Sequence, residues 1–336
     1  MLVFTIRRLF QAIPILIVAS IASFALATIS GDPVQNKFLL RNPPPSAQVI
    51  ATTRHNMRLD RPWLTQYWDW LSGLITRGDW GPSIDGIVIG SAVGHALIVT
   101  LRLIFSAILL ALVLSLASGI VSAYRQYSKV DYSFTFVGFV FLAMPTFWIA
   151  ALLKQGAIQF NNAWQSSFCP GDPTCRPIQT VGEQSIVPPS GFFGVAEDWF
   201  THLLLPTLSL ALITYAAWSR FVRASLLEVL NSDYVRLARA KGLTPRRVMF
   251  KHALRTSLIP MTTVTSLTIA GLFGGAIITE RVFQWRGMGT LIINAINDKD
   301  RYVIMGWLVV VGFIVIVGNI IADILYAVLD PRIRYE

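Results

Sequence analysis

The stretch that decides the fold is DYVRLARAKGLTPRRVMFKHALRTSLIP, residues 233–260. It is basic, its composition suits a helix, and it joins two long apolar runs at 203–226 and 257–279. A run of about 20 apolar residues is long enough to cross the hydrocarbon core of a bilayer as a helix. A polar segment between two such runs must therefore lie at one face of a membrane.

The composition of the whole chain agrees with this reading. Of its 336 residues, 54% are hydrophobic and only 14% are charged, whereas soluble domains carry about 25% charged residues. The first apolar run follows Arg7 and Arg8, and its length favours an uncleaved helix over a cleaved signal peptide. We predict an all-α integral membrane protein with six transmembrane helices, at about 9–29, 97–123, 133–153, 203–226, 257–279 and 303–328.

The distribution of charge predicts the orientation in the membrane. An internal amino terminus places four segments in the cytoplasm, namely 1–8, 124–132, 220–256 and 329–336. Together they hold 15 of the 28 Lys and Arg residues but 5 of the 18 Asp and Glu residues, which leaves 13 of each sign elsewhere. The positive excess thus lies on one side, as the positive-inside rule requires. Both termini are predicted to be cytoplasmic, and the net charge of +10 does not call for a nucleic-acid partner.

This topology divides the chain into segments. An amino-terminal segment with the first helix is followed by a long external segment, a five-helix core and a short cytoplasmic tail. The core includes a second external segment and the basic cytoplasmic loop. The amino-terminal segment covers 1–30, the first external segment 31–95, the core 96–328 and the tail 329–336. Within the core, the second external segment covers 155–200 and the basic cytoplasmic loop covers 227–256.

The external segment 31–95 contains a helical pattern of aromatic and apolar residues. Trp63, Tyr67, Trp70 and Leu74 recur at the spacing of one helix face. Rings of this kind favour the membrane surface. The segment is either an interfacial helix or an ordinary packed external helix.

Two features interrupt the apolar runs. Arg102 lies near the outer end of the second run, where it can extend toward water or line a pore. Pro145 lies within the third run and predicts a kink there. Such a kink is compatible with a moving helix and with routine packing.

Cys169 and Cys175 are the only two cysteines of the chain. They flank a Pro/Gly turn in the external segment 155–200, on the oxidising side of the membrane. We predict a disulfide, which by loop entropy would stabilise the fold by about 2.4 kcal/mol. Two thiols without neighbouring histidines are only half of a zinc site.

Residues for catalysis and for energy conversion are missing from the sequence. There is no phosphate-binding G-x-x-x-x-G-K-[ST] loop and no G-x-S-x-G motif. The four histidines, His55, His95, His202 and His252, are far apart. The apolar runs also lack the charges of an ion-driven carrier. The chain is therefore predicted to be neither an enzyme nor a cofactor-binding protein, and any energy for transport must come from a partner.

The basic loop contains a surface that such a partner can contact. Asn231 or Ser232 can cap a helix that starts near Asp233, and Gly242 ends it, with Pro245 beyond. We expect about three turns. Tyr234, Leu237, Ala238 and Leu243 are predicted to share one face, and Arg236, Arg239 and Lys241 to point elsewhere. The helix is either a basic interfacial helix that binds anionic lipid or a rigid element through which a partner transmits movement to the membrane helices.

Several strings resemble one known family in the right order. They are GDPV (31–34), MPTFW (144–148), ARAKGL (238–243), HALR (252–255) and NIIADILYAVLDPRIRY (319–335). The sequence resembles, over nearly its whole length, the permeases of ATP-binding-cassette (ABC) importers, and in particular those of the dipeptide/oligopeptide/nickel family. The resemblance implies the type I ABC importer permease fold in a bacterial or archaeal cytoplasmic membrane.

The resemblance also implies a mechanism. Two permease subunits, usually different, form one pore, and an external binding protein delivers the peptide. The short helix of the cytoplasmic loop docks on one of two ATPase subunits, which bind ATP and Mg²⁺. The coupling positions implied for this chain are Asp233, Tyr234, Arg236, Ala238, Arg239, Ala240, Lys241 and Gly242.

The sequence departs from the general importer pattern at one of these positions. Arg236 stands where the general motif has glutamate, so no role of that acid transfers to this chain. The cargo also stays open, since nickel or another small solute is an alternative to peptides. A self-contained ion-coupled carrier or channel, or a membrane enzyme, is the competing class of function.

Overall fold

The structure is a computed structural model. It describes residues 2–38, 45–172, 175–187, 189–258, 261, 264–265, 268 and 276–329. Most of the predicted fifth helix at 257–279 and all but the first residue of the predicted tail 329–336 lie outside these residues.

All of the regular secondary structure in the described residues is helical, as predicted. We number thirteen α-helices: α1 Leu2–Ile29, α2 Pro33–Phe38, α3 Ala47–Asn56, α4 Trp63–Arg77, α5 Ile89–Tyr124, α6 Lys129–Ala143, α7 Thr146–Phe168, α8 Phe192–Leu230, α9 Asp233–Ala240, α10 Pro245–Arg247, α11 Leu254–Ser257, α12 Met288–Asn297 and α13 Arg301–Leu329. A π-helix, Val248–Ala253, separates α10 from α11, and residues 276–283 are also helical.

Four helices in the described part are long and apolar enough to cross a membrane. They correspond to the predicted first, second, fourth and sixth runs, and they are Phe10–Ile29, Ile89–Tyr124, Phe192–Leu230 and Arg301–Ile321. Helices α5 and α8 extend well past the predicted bounds, with 36 and 39 residues. Since about 20 residues span the hydrocarbon core, both helices have ends that reach beyond it.

The third run is not one kinked helix. It is divided between α6 and α7, which meet at an angle of 105°. Met144 and Pro145 between them have extended backbone, with ψ angles of 132° and 145°. Proline disfavours helical dihedrals in the residue before it, so Met144 leaves the helix and α7 starts afresh after Pro145. The position of the proline was predicted correctly, but a full break stands where a kink was expected.

The chain packs as two compact units. The first contains residues 1–100 and 286–320, and the second contains residues 101–285 and 321–336. The predicted segments were defined by where the chain crosses the membrane, whereas these two units are defined by which residues pack together. The predicted division into segments therefore stays a prediction.

The first unit is built around the aromatic face of α4. Tyr67 and Trp70 are almost fully buried, together with Phe24 of α1 and Tyr302 of α13. The hydroxyl groups of Ser20 and Tyr67 are 2.8 Å apart and form a buried hydrogen bond. Of the two interpretations of this segment, the structure supports a packed helix. Its opposite face, which includes Trp68, stays exposed.

Polar contacts also hold this unit together. The Arg301 guanidinium donates a buried hydrogen bond of 2.7 Å to the Gln66 side-chain oxygen. The Asp300 carboxylate accepts bonds from the Ser83 hydroxyl and the Ile84 amide, at 2.8 and 2.9 Å. These bonds join the start of α13 to the chain around α4 and α5.

In the second unit, small residues let α5 and α6 approach α8. A Cβ placed on Gly119 of α5 would lie 2.7 Å from the Val222 side chain and 3.2 Å from the Ser219 carbonyl oxygen. A Cβ on Gly138 of α6 would be in ordinary contact with Ser219 and Ala216. Close approach at small residues is the usual way in which apolar helices associate in a membrane.

We expect Gly119→Ala to destabilise the second unit. The new methyl group must displace Val222 or move the backbones apart, and overpacking of this kind costs about 1–3 kcal/mol. Gly94→Ala, in the same helix with nothing within 4 Å of the added Cβ, is the matched control. Thermal unfolding in detergent should show a lower Tm for Gly119→Ala alone, and Val222→Ala should restore it. Equal Tm values for the two glycine variants would contradict the proposed contact.

The predicted pairing of Cys169 with Cys175 is present in the structure. The two residues form a disulfide with their Cα atoms 6.3 Å apart. The turn between them is also held by the Gln165 side chain, which donates a hydrogen bond of 2.8 Å to the Asp172 carbonyl. The bond closes a small loop directly after α7.

Candidate functional site

The basic loop folds as a short helix with a well-defined end. Helix α9 covers Asp233–Ala240, and Gly242 follows it with a φ of 76°, in the left-handed region that favours glycine. The Gly242 amide donates to the Arg239 carbonyl at 2.9 Å, and the Leu243 amide donates to the Ala238 carbonyl at 3.3 Å. This pair of bonds is a Schellman motif. The prediction that Gly242 ends the helix agrees with this geometry.

Two details of this helix differ from the prediction. It has eight residues, or about two turns rather than three, because the Schellman bonds leave Lys241 and Gly242 outside it. Ser232 occupies the capping position, but its side chain makes no bond to the first turn. Its hydroxyl donates to the Val229 carbonyl at 2.5 Å instead, so it ties α9 to the end of α8.

The face that α9 buries was not singled out from the sequence. Val235 and Ala238 are buried against Val248, with Leu243 packed beside them. Tyr234 and Leu237, which were predicted to share one face with Ala238 and Leu243, are 44% and 56% exposed. The β-branched Val235 was overlooked because Tyr234 and Leu237 are larger, yet positions 235 and 238 are three apart and share a face equally well.

The exposed face of α9 contains most of the predicted coupling positions. Of the eight predicted positions, Ala238 is buried, and the other seven are exposed: Asp233, Tyr234, Arg236, Arg239, Ala240, Lys241 and Gly242. The only ion pair recorded among these seven in the described chain joins Arg236 to Asp233 at 3.7 Å. The face thus presents two large apolar side chains among basic ones, and Leu237 is a member that the sequence analysis missed.

The chain after α9 returns along α8. Pro245 starts α10, and the π-helix Val248–Ala253 buries Val248, Met249 and Ala253. The Ser225 hydroxyl of α8 donates to the Ser257 carbonyl at 3.0 Å. These contacts hold α9 against the end of α8 on both of its sides, so a force on α9 acts on a packed element rather than on a free loop.

A buried ion pair supports the same region from α6. The Arg223 guanidinium of α8 donates two hydrogen bonds of 2.7 Å to the two oxygens of Asp131. Asp131 is 2% exposed, and it also accepts a bond of 2.9 Å from the amide of Tyr127. Two-pronged pairs of this kind fix geometry as well as charge. The sequence analysis counted both residues only as topology signals, and nothing in their spacing of 92 residues predicts the contact.

Two further questions raised by the sequence concern the role of Arg102 and the presence of a metal site. The Arg102 guanidinium lies 4.8 Å from the ring centre of Trp199 in a cation–π arrangement, a contact that neither of the two predicted roles included. Within the described residues, no group of three His, Cys, Asp or Glu side chains is arranged to hold a metal ion.

Comparison with known proteins shows the family of this chain. Residues 115–335 match the family described as binding-protein-dependent transport system inner membrane component. Residues 1–87 match its amino-terminal companion family. The chain belongs to this family. It is accordingly a multi-pass membrane protein and one component of a larger transport system, and its family is that of the membrane component.

Named relatives cover the whole chain. It is 36% identical to the oligopeptide transport system permease protein OppB of Mycobacterium tuberculosis, over 98% of both chains. It is 36% identical to the oligopeptide transport system permease protein AppB of Bacillus subtilis, over 100% of both. It is 37% identical to the dipeptide transport system permease protein DppB of Alkalihalophilus pseudofirmus, again over 100% of both.

A solved structure shares the fold of this permease-family chain. A chain of the MetNI methionine ABC transporter, in an inward-facing conformation, matches with a TM-score of 0.51 at 15% sequence identity. The match covers 71% of this chain and 96% of the other. The coarse prediction of an all-helical ABC importer permease fold is therefore confirmed.

Proposed function

We propose that this chain is a permease subunit of an ABC importer that takes up dipeptides or oligopeptides. The observation that carries the proposal is the full-length similarity to permease proteins named for these cargoes. Those relatives are named as permeases of oligopeptide or dipeptide transport systems. Import of nickel or another small solute by the same architecture is the alternative.

The proposed route of energy transfer runs through α9. The exposed Tyr234 and Leu237 would enter a cleft on a cytoplasmic ATPase, with Arg236, Arg239 and Lys241 around them. Buried aromatic and aliphatic anchors inside a polar rim are typical of protein interfaces. The Schellman end makes α9 short and stiff, and its buried face passes a displacement to α8.

The complete transporter would contain further chains. We infer a second, different permease subunit that completes the pore, two ATPase subunits that bind ATP and Mg²⁺, and an external binding protein that delivers the peptide. This chain has no phosphate-binding loop of its own, so hydrolysis would take place on the partners. The six-helix count, the cytoplasmic position of both termini and the external position of 31–95 and 155–200 belong to the same proposal.

The proposal is tested by uptake and by assembly. In cells that carry the full transporter, Leu237→Asp should lower the amount of ATPase that co-purifies with the permease and lower peptide uptake in parallel. The reason is that a charge replaces an apolar anchor on the docking face. Ile186→Asp changes a fully exposed apolar residue in the segment 155–200 and is the control.

The results separate the competing functions. Uptake of labelled di- and oligopeptides that requires ATP supports the proposal, and uptake of nickel instead would support the alternative cargo. Normal ATPase retention and normal uptake in Leu237→Asp would contradict docking through α9. Uptake without any ATPase would mean a self-contained carrier.

A further inference from the structure

The second unit contains a large groove on the side of α9 that faces the rest of the chain. Its volume is about 730 Å³, and it lies where α5 and α8 end. Arg125 and Gln126, which follow α5, form one wall, and Arg239 of α9 lies on the other. Tyr234 and Leu237, the exposed apolar residues of α9, do not line it. The groove thus borders the proposed ATPase-docking face and shares Arg239 with it, but it does not include the two apolar anchors.

The groove is amphipathic. Its floor is apolar, with buried Ala123, Val248 and Met249 and the partly buried Leu227 and Leu230. Its rim is polar and basic, and no acidic side chain lines it. Within the residues that the structure describes, the guanidinium groups of Arg125 and Arg239 form neither an ion pair nor a hydrogen bond. The groove therefore combines a positive rim with an apolar base.

Exposed aromatic rings indicate the level of the groove relative to the membrane. Tyr124 lines it, and Tyr127 and Tyr132 lie in and just after the same loop. Their exposed fractions are 65%, 70% and 62%. Tyrosine is enriched at the boundary between the hydrocarbon core and the headgroups. The composition of the loop after α5 therefore suits a position at headgroup level, where Arg125 would be next to the lipid phosphates.

We propose that this groove binds one anionic phospholipid. The phosphate would lie between Arg125 and Arg239, and the glycerol with the first methylene groups of the tails would cover the apolar floor. Basic pockets between membrane helices on the cytoplasmic side are suited to anionic headgroups. The volume lies in the range of pockets that hold small molecules, about 300–1,000 Å³. A bound lipid would contact α5, α8 and α9 at once and would make the position of α9 sensitive to membrane charge.

The test uses the purified full-length chain in neutral detergent and a photoactivatable phosphatidylglycerol. We expect labelling of peptides within 123–128, 227–231 and 239–249, and competition by unlabelled phosphatidylglycerol but not by phosphatidylcholine. Arg125→Gln should weaken apparent binding about fivefold, the effect of one basic residue at a charged surface. Arg247→Gln removes the same charge from an exposed residue outside the groove and should leave binding unchanged.

Further variants distinguish loss of lipid binding from misfolding of the protein. Leu230→Trp fills the floor without any change in charge, and it too should reduce labelling. Size-exclusion profiles and Arg125→Lys, which keeps the charge, separate lost binding from a lost fold.

Four results would overturn the proposal. They are labelling outside these three peptides, equal competition by phosphatidylcholine, equal competition by glycerol phosphate alone, which would mean a site for free phosphate, and loss of the label on addition of the partner ATPase. The last result would assign the groove to the ATPase.

Discussion

Gly242→Pro is expected to lower ATP-driven uptake by about tenfold or more while the ATPase subunits continue to hydrolyse ATP. Proline fixes φ near −65°, whereas Gly242 has a φ of 76°. The substitution also removes the amide that donates to the Arg239 carbonyl. Both halves of the Schellman motif then fail, and α9 loses its defined end. A helix with a frayed end can still bind the ATPase, but it deforms instead of transmitting the movement of the ATPase to α8.

Two further variants show whether the backbone or the charge is responsible. Gly242→Ala keeps the amide and adds only the left-handed strain of about 1–2 kcal/mol, so its effect on uptake should be smaller. Gly78→Ala adds the same strain after α4, since Gly78 has a φ of 66° and open space around it, and it should leave uptake unchanged. Lys241→Glu keeps the fold and reverses an exposed charge, and it should also uncouple hydrolysis from uptake.

These measurements require uptake and ATP hydrolysis in the same reconstituted vesicles. Normal docking and normal transport in Gly242→Pro would remove α9 from the pathway of energy transfer. Equal losses in the two alanine variants would mean that strain alone, wherever it lies, impairs the protein.

The second large effect is expected from Asp131→Ala, which should destabilise the second unit by about 1–3 kcal/mol. The substitution leaves the Arg223 guanidinium without the carboxylate that accepts two of its hydrogen bonds. It also releases the amide of Tyr127, a residue with a left-handed φ of 62°. Removal of the carboxylate is costly because the remaining Arg223 side chain is only 27% exposed, so water can replace the lost bonds only in part. The loop after α5 and the part of α8 around Arg223 should both become less stable.

A surface pair provides the matched control. Arg61 and Asp69 form an ion pair of 2.6 Å, with side chains 49% and 34% exposed. Pairs of this exposed kind contribute about 0.2–1 kcal/mol, so Asp69→Ala should change the Tm little. A double-mutant cycle with Arg223→Met isolates the pair itself. A coupling energy near zero would show that the Asp131–Arg223 contact is not a stabilising one.

The sequence predicted those features that depend on neighbouring residues. The apolar runs at 97–123 and 203–226 predicted long helices because burial in a membrane needs a continuous apolar stretch. Gly242 predicted the end of α9 because the left-handed conformation favours glycine in any context. Resemblance to a family supplied the fold, and the match to a known importer permease supports it.

The features that were missed depend on residues far apart in the chain. The buried face of α9 is decided by Val248, which follows it after a turn, and not by the size of Tyr234 or Leu237. The ion pair of Asp131 with Arg223 forms only when α6 and α8 lie side by side, and the sequence around each residue does not predict that arrangement. The break at Met144 and the kink expected there share the same sequence signal, so only the surrounding packing separates them.

The π-helix after α10 has a consequence for the orientation of the segment that follows it. A π turn holds one residue more than an α turn, and one residue corresponds to a rotation of about 100° around the helix axis. Every side chain beyond Ala253 is therefore out of phase with the pattern that Pro245 would start in a regular helix. It is in this shifted phase that the Ser257 carbonyl meets the Ser225 hydroxyl. Deleting a single residue from Val248–Ala253 would rotate α11, Leu254–Ser257, by more than a quarter of a turn about its axis.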